Sequence, residues 1–163
     1  AYQALREAGE PHGFKLFGAR AVDAMRMEMG FLHWKADLIT EFDPFETGLD
    51  RFVKLDKSEF IGKEALTARV EAGPTKRLVS LEVDCRKSPA HPGASLMLDG
   101  KVVGTVTSGD WGHRVAQNLA YAFVDPDLAG HGTDMSLDHY GAQVSARVIA
   151  PCPYDPDFTR MRS

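Results

Sequence analysis

Three stretches in the first half of the chain decide its fold: Gly18-Ala-Arg-Ala-Val-Asp-Ala-Met-Arg-Met-Glu-Met-Gly30, Pro44-Phe-Glu-Thr-Gly-Leu49 and Lys57-Ser-Glu-Phe-Ile-Gly-Lys-Glu-Ala-Leu66. Each combines charged and apolar side chains with glycines at turn positions. Together they are typical of the closing half of a ligand-binding domain. The chain begins at Ala1, without an initiator Met, inside a stretch of helical pattern. The sequence therefore predicts the C-terminal piece of a longer protein.

The first 73 residues predict helices with short strands between them. Residues 1–8 place Ala1, Leu5 and Ala8 on one helical face, whereas residues 13–17 and 52–55 have the apolar pattern of short strands. Residues 62–72 predict a further helix. The candidates for the cap of this helix are Asp56 and Ser58.

The segment 19–31 allows two interpretations. Residues 19–24 suit a helix, but from Met25 onward apolar and polar residues alternate strictly, which places Arg26 and Glu28 on one face of a strand. The opposite face then carries Met25, Met27, Met29 and Phe31, a stripe that predicts core packing. We prefer this helix followed by a strand. The alternative is one continuous helix to Met29, because Met and Ala are strong helix formers.

From Arg77 onward every signal predicts β structure. Val79, Leu81 and Val83 alternate with polar residues, as in a strand with one buried face. Asp99-Gly100 and Tyr140-Gly141 lie between apolar runs and predict tight hairpins. The glycine-rich stretch 104–112 predicts a further turn between two strands. About six strands at this spacing predict a small, closed or nearly closed antiparallel barrel.

The composition argues against several classes of function. The 163 residues carry a net charge of -4 without a Lys/Arg cluster, so we expect no nucleic-acid partner. No apolar run reaches the roughly 18 residues of a membrane span, so we expect no membrane segment. The six histidines are scattered, and Cys85 and Cys152 are far apart. The sequence therefore predicts no metal site and two reduced thiols.

The motifs resemble the glycine-cleavage T-protein (aminomethyltransferase) superfamily, through segment 18–30 with its Met25-Arg-Met-Glu28 core, the 44–49 turn and segment 57–66. The resemblance implies an α+β fold, in which the C-terminal half of a T-protein-like folate-binding domain precedes a small antiparallel β-barrel. The linker at Gly73-Pro74 divides these domains into residues 1–73 and 74–163. In this family the catalytic Asp and a pterin-binding Glu lie in the first half, so we expect them upstream of Ala1.

His33-Trp34, segment 43–48 and the closing segment 154–162 look most similar to the C-terminal region of dimethylglycine and sarcosine dehydrogenases. In that branch FAD oxidises an N-methyl amine, and tetrahydrofolate, bound in the T-protein-like part, accepts the one-carbon unit. The alternatives are an aminomethyltransferase of glycine cleavage and a non-catalytic folate-binding or scaffold module. The ending at residues 160–163 suggests the natural C-terminus.

The resemblance also implies partners and a compartment. The partners are the upstream domains of the parent chain, and FAD belongs to those domains. The tetrahydrofolate site is incomplete in this chain, so we expect the chain alone to be inactive. The expected compartment is the cytoplasm of a bacterium or, in a eukaryote, the mitochondrial matrix.

Two positions depart from the T-protein pattern. The family's Arg that binds the folate glutamyl tail falls at Val22, and an apolar side chain cannot make that charge-assisted contact. Arg20, two residues away, is the nearest substitute. The aromatic residue that follows the family's turn falls at Arg51. These departures disfavour a plain aminomethyltransferase.

Six side chains are candidates for contact with tetrahydrofolate, because a pterin needs apolar walls with a few polar groups and the tail carboxylates favour Arg. They are Arg20, Arg26, Glu28, Trp34, Glu46 and Arg51. Structural roles compete with this interpretation. On one strand face Arg26 and Glu28 would form an ion pair, Glu46 would cap a turn, and Trp34 would pack with His33.

Overall fold

The structure is a computed structural model that describes residues 1–160 and 162. Its helices are α1 (Tyr2–Gly9), α2 (Ala19–Glu28) and α3 (Lys63–Ala72), and 3-10 turns cover Glu10–His12, Asp50–Phe52 and Pro126–Leu128. Within the described residues, no helix is long and apolar enough to cross a membrane. The prediction of a natural C-terminus falls partly on Met161 and Ser163, which lie outside the described residues.

Six antiparallel strands close into a barrel, as the sequence predicts. They are β1 (Arg77–Val83), β2 (Ser95–Leu98), β3 (Lys101–Gly112), β4 (Gln117–Val124), β5 (Asp134–His139) and β6 (Ala142–Ile149). Their order around the barrel is β1-β4-β3-β2-β5-β6, and β6 pairs back onto β1. Closure satisfies every strand edge with a neighbour. The α+β fold with a small antiparallel barrel is confirmed.

Both predicted hairpin turns are present. Asp99 and Gly100 have φ values of 50° and 76°, and Tyr140 and Gly141 have values of 53° and 82°. Positive φ at both central residues is the requirement of a type I′ turn, which matches the twist of the flanking strands. The Asp138 side chain accepts a hydrogen bond from the Gly141 N–H at 2.9 Å and supports the second turn.

The centre of the barrel is filled by aliphatic side chains from all six strands. The most buried of them include Leu81, Leu96, Val106, Val124 and Leu137. Strand β4 is buried on its outer face as well, where Leu119 and Tyr121 pack with Met27 of α2. Phe42 stacks on Phe123 with ring centres 3.7 Å apart. The outer face of β4 is therefore the surface on which the first part of the chain rests.

The strand predicted from Met25 is wrong, since α2 continues to Glu28 and residue 29 is its cap. Helical geometry places residues three and four apart on one face, so Ala24, Met27 and Glu28 are buried together, whereas Met25 is 46% exposed. The methionines therefore do not form one packed stripe. The helical propensity of Ala and Met outweighs the alternation.

Three other local predictions are also wrong. Residues 13–17 and 52–55 form no strand, because the closed barrel offers no free edge for them to pair with. Helix α3 starts after Gly62 in left-handed conformation and has no side-chain cap, so neither Asp56 nor Ser58 serves it. The stretch 104–112 lies inside β3 rather than in a turn. Helices α1 and α3 match their predicted ranges within a few residues.

The break between helix α3 and strand β1 lies at the predicted linker. Helix α3 ends at Ala72, Gly73 takes a φ of 75°, and β1 begins at Arg77. The division into domains 1–73 and 74–163 stays a prediction.

Gly109 of β3 gives a test of how closely this strand is packed. A Cβ at this position would overlap the carbonyl oxygen of Ala90, which is backbone and cannot rotate away. We expect Gly109→Ala to lower the free energy of unfolding by about 2 kcal/mol or more, measured by urea denaturation. Gly130→Ala is the control, because its Cβ would meet nothing nearer than 3.5 Å. Equal stabilities of the two variants would contradict this packing.

Candidate functional site

The polar centre between α2 and the barrel is the fully buried carboxylate of Asp37. Its Oδ1 accepts hydrogen bonds from the hydroxyls of Thr107 and Ser108 on β3, at 2.6 and 2.7 Å. Its Oδ2 accepts from Arg26 Nη1 at 2.7 Å and from the backbone N–H of His33 at 2.8 Å. Four donors surround the two oxygens, so the charge is well compensated inside the protein.

Arg26 is held by the same cluster. Its Nη2 donates to Ser108 Oγ at 3.0 Å, and its Nε donates to Asp23 at 3.1 Å. The guanidinium also lies 5.6 Å from the centre of the Tyr121 ring. Burial raises the pKa of Tyr121. The donors of Arg26 are directed at partners within the protein, and its side chain links α2 to β3.

Glu28 joins α2 to the turn between β3 and β4. Its Oε1 accepts hydrogen bonds from the backbone N–H groups of Arg114 and Val115, at 2.5 and 3.2 Å. Its backbone carbonyl accepts from the N–H of Tyr154 at 3.1 Å. The predicted ion pair between Arg26 and Glu28 does not form, because side chains two residues apart on a helix point in different directions.

Glu46 joins the 43–49 turn to the start of β1. Its Oε1 accepts hydrogen bonds from the hydroxyl and N–H of Thr75, at 2.7 and 3.0 Å, and from the N–H of Lys76 at 3.2 Å. Its Oε2 accepts from the N–H of Asp43 at 3.2 Å. Burial raises the pKa of Glu46, but these hydrogen bonds outweigh it and hold the pKa below its ordinary value.

An open cleft of about 370 Å³ lies between the 30–51 segment and β1. Its apolar lining includes Phe31, Leu32, Leu38, Leu49 and Leu78. The one cation in the lining is Arg51, whose guanidinium lies 4.7 Å from the centre of the Phe52 ring. No carboxylate among the described residues pairs with Arg51. This cleft can hold a flat, partly apolar molecule with a negative group near Arg51.

The other exposed candidates lie outside this cleft. Arg20 lines two grooves along α2, one with Asp23 and His33 and the other with His113. Trp34 is 62% exposed, so it does not form a buried pair with His33. The six predicted side chains thus fall into two groups: a group with internal partners, in which Glu28 and Glu46 are buried and Arg26 is partly buried, and an exposed group of Arg20, Trp34 and Arg51. The structure does not bring them into one cluster.

Sequence reasoning missed the residues that organise the buried group. They are Asp37, Thr107, Ser108 and Thr75. Ser and Thr at these positions carry no local signal of a polar cluster, and their partners lie 29 to 82 residues away in sequence. The one local signal in the sequence is an acidic residue, Asp37, a few positions after the His33-Trp34 pair. Within the described residues, no group of three His, Cys, Asp or Glu side chains could hold a metal.

Large apolar side chains are exposed mainly in the first 73 residues. Helices α1 and α3 have no buried residue. The exposed large apolar side chains are Tyr2, Leu5, Phe14, Leu16, Phe17, Val22, Met25, Phe31, Trp34, Phe52, Ile61 and Val70, against Val102 and Tyr140 in the rest of the chain. Concentrations of this kind mark surfaces that another molecule or segment covers.

Two family profiles match the chain. The glycine cleavage T-protein C-terminal barrel domain matches residues 76–155, and the GCVT N-terminal domain matches residues 1–57. The chain is also similar to a solved crystal structure, the glycine cleavage system aminomethyltransferase T from Bartonella henselae, with a TM-score of 0.86 and 24% identity. That match covers 96% of this chain and 44% of the other, and it supports the fold alone.

Curated relatives include three enzymes. An aminomethyltransferase of Saccharopolyspora erythraea is 37% identical over 91% of this chain, which spans 41% of that protein. The mitochondrial dimethylglycine dehydrogenase of Homo sapiens is 34% identical over 91% of this chain. The mitochondrial sarcosine dehydrogenase of Mus musculus is 34% identical over 99% of it. The chain spans only 17% and 18% of the two dehydrogenases.

Asp37→Ala tests the buried cluster. The substitution removes the buried carboxylate that Arg26, Thr107, Ser108 and the N–H of His33 share as an acceptor, so we expect a loss of about 3–5 kcal/mol in the free energy of unfolding, measured by urea denaturation. Asp23→Ala is the control, because Asp23 contacts the same guanidinium with a side chain that is 45% exposed. We expect this variant to lose less than about 1 kcal/mol. Similar losses in the two variants would refute the central role of Asp37.

The hydrogen bonds to Glu46 make the free energy of unfolding depend on pH in the acid range. Because its pKa is lower in the folded state, its contribution is fully present above the unfolded pKa, near 4.5, and is lost as pH falls through the folded pKa. We expect Glu46→Gln to cost about 2 kcal/mol at pH 7 and to flatten the decline of the unfolding free energy as the pH falls below about 4.5. Glu59→Gln, with a side chain 94% exposed, should change neither value. An unchanged acid profile in the Glu46→Gln variant would contradict the assignment.

Proposed function

The chain belongs to the glycine-cleavage T-protein superfamily, and from this premise we propose that it forms the C-terminal part of a tetrahydrofolate-dependent one-carbon-transfer unit. The single observation that carries the proposal is the similarity of nearly the whole chain to aminomethyltransferases and to dimethylglycine and sarcosine dehydrogenases. The apolar cleft, whose lining includes Arg51 as its one cation, also supports the proposal.

The parent protein in this proposal is an FAD-linked N-methylamine oxidoreductase of the dimethylglycine or sarcosine type. Val22 supports this branch, because it stands where the T-protein pattern has the Arg that binds the folate tail. An aminomethyltransferase of glycine cleavage is the second candidate. It is favoured by the 37% identity to the Saccharopolyspora erythraea enzyme. In the oxidoreductase, FAD would belong to domains other than this chain.

The lining of the cleft fits two parts of a folate molecule. Leu32, Leu49 and Leu78 offer an apolar wall to a flat ring, and Arg51 offers a charge-assisted contact to a tail carboxylate. When bound, tetrahydrofolate supplies the nitrogen atoms that accept the one-carbon unit. The role of this chain is to hold and orient it. Trp34 and Arg20, both exposed, are the further candidates for contact.

Arg26, Glu28 and Glu46 have a different role in this proposal. Their polar atoms are already paired with groups of the protein, and breaking these pairs to reach a ligand would leave buried charges uncompensated. Glu28 holds α2 on the β3–β4 turn, and Glu46 holds the 43–49 turn, which lines the cleft, at the start of β1. A contact with the ligand would have to come in addition to these bonds.

The reactive carboxylate is proposed to come from a part of the parent protein outside residues 1–163. Of the described carboxylates, Asp37, Glu28, Glu46 and Asp155 are buried and hydrogen-bonded. The exposed apolar side chains of α1 and of residues 14–17 are then the surface that the upstream domains cover. The proposed compartment is the bacterial cytoplasm or the mitochondrial matrix, and mitochondrial relatives support the second.

Folate binding tests the proposal in the whole protein as its organism expresses it. Tetrahydrofolate is titrated into the wild type, Arg51→Ala and Lys101→Ala under anaerobic conditions, with affinity measured by calorimetry. Loss of one charge-assisted contact predicts at least about tenfold weaker binding for Arg51→Ala. Lys101→Ala in the β2–β3 hairpin should bind as the wild type does.

Two outcomes of this titration separate the alternatives. No binding to the wild type would refute the folate proposal as a whole. Binding that weakens in Arg20→Ala and not in Arg51→Ala would move the folate tail to the groove along α2. The visible absorbance of the same preparation distinguishes the branches: a flavin spectrum supports the oxidoreductase, and a colourless protein supports the aminomethyltransferase.

A further inference from the structure

A strap of chain, residues 151–160, follows β6 and is held against the end of α2. The backbone N–H of Tyr154 donates to the carbonyl oxygen of Glu28 at 3.1 Å, and Arg114 Nη1 donates to the Tyr154 hydroxyl at 2.7 Å. The Arg114 guanidinium also lies 4.9 Å from the centre of the Tyr154 ring. The strap is therefore attached both to α2 and to the β3–β4 turn.

Gly30 lets the strap approach α2 closely. A Cβ at Gly30 would lie 2.6 Å from the carbonyl oxygen of Pro151, and the φ of Gly30 is 72°. Any other residue would be strained in this conformation and would push the strap away. Gly30, Phe31 and Pro151 all line the apolar cleft that also contains Arg51. The start of the strap is therefore part of the cleft wall.

The rest of the strap turns around the buried carboxylate of Asp155. Its Oδ1 accepts hydrogen bonds from the N–H and the hydroxyl of Thr159, at 3.1 and 3.0 Å. Its Oδ2 accepts from the N–H of Arg160 at 3.1 Å. The backbone carbonyl of Asp155 accepts from the N–H of Phe158 at 3.0 Å. One residue of the strap thus fixes the backbone from 155 to 160.

Within this turn Phe158 has a backbone conformation that is rare for a bulky residue. Its φ is 54°, in the left-handed region, where a Cβ is crowded by the backbone. Its ring stacks on that of Phe31, with ring centres 6.2 Å apart and planes 16° apart, as in favourable aromatic pairs. Such conformations persist where the surrounding structure holds them, and they cluster at functional sites. Here the bonds to Asp155 hold Phe158, and the result is its contact with a residue of the cleft wall.

We propose that Phe158 is a positioning residue of the cleft: its ring holds Phe31 in the cleft wall, and Asp155 holds Phe158. The inference rests on the proposed function, in which this cleft binds tetrahydrofolate. Phe31 is 44% exposed, so its own packing restrains the ring only in part. A ring that is fixed before the ligand arrives loses less freedom on binding. Phe158 therefore raises the affinity by acting through Phe31.

The affinity for tetrahydrofolate tests the role of the Phe158 ring. In the whole protein, titrated under anaerobic conditions in a calorimeter, we expect Phe158→Ala to bind about three- to tenfold more weakly than the wild type. Phe158→Tyr keeps the ring and should bind as the wild type does. Tyr140→Ala is the matched control, because Tyr140 also has a left-handed φ, 53°, and stacks on His91, but lies at the β5–β6 turn. It should leave the affinity unchanged.

A double variant tests the link between Asp155 and Phe158. Asp155→Ala removes the hydrogen bonds that hold the turn, so it should weaken binding by about the same factor as Phe158→Ala. The double variant should bind no more weakly than either single variant, since both act through the ring of Phe31. Urea denaturation verifies that each variant is folded at the temperature of the titration. Losses that add in the double variant would overturn the link.

Hydrogen exchange tests the inference without a ligand. The N–H of Phe31 donates to the carbonyl of Arg26 at 2.8 Å, so its exchange reports how firmly this part of the wall is held. Mass spectrometry of peptides from residues 28–34 should show faster exchange in Phe158→Ala and not in Tyr140→Ala. Unchanged exchange, or wild-type affinity in Phe158→Ala, would overturn the inference alone. No binding to the wild type would refute the proposed function and the positioning role with it.

Discussion

One buried carboxylate, Asp37, holds the first part of the chain on the barrel. Placing a charge in the interior costs several kcal/mol unless hydrogen bonds replace the lost water. Here a guanidinium, two hydroxyls and a backbone N–H supply that replacement, from α2, from β3 and from the loop at His33. Because these groups come from three parts of the chain, the charge can be compensated only when all three are in place.

This constraint limits which polar groups are left to bind a ligand. The polar groups of α2 and of the 43–49 turn are used for attachment, as Glu28 and Glu46 also illustrate. The groups left for a ligand are those at the surface: the apolar cleft with Arg51, and the exposed aromatic side chains around it. A rigid, internally paired frame with an exposed apolar face suits a site that another domain completes.

The barrel could be predicted from the sequence, because strand alternation and hairpin turns are local signals. Asp99-Gly100 is an example, where two adjacent residues specify a turn. The end of α2 could not be predicted in this way, since Met25-Arg-Met-Glu28 satisfies both the period of a strand and the propensity of a helix. The residue types at Arg26, Glu28 and Glu46 stand out in the sequence, but each of them has a hydrogen-bond partner at least 29 residues away. Ser108, 82 residues from Arg26, is the clearest case.

A crystal structure of the whole protein with tetrahydrofolate bound would show which arginine holds the folate tail. We expect the ring to lie against the leucines of the cleft, a tail carboxylate to contact Arg51, and the hydrogen bond between Arg26 and Asp37 to be unchanged. A folate carboxylate bound to Arg26, with its pairing to Asp37 broken, would contradict the proposed structural role of Asp37.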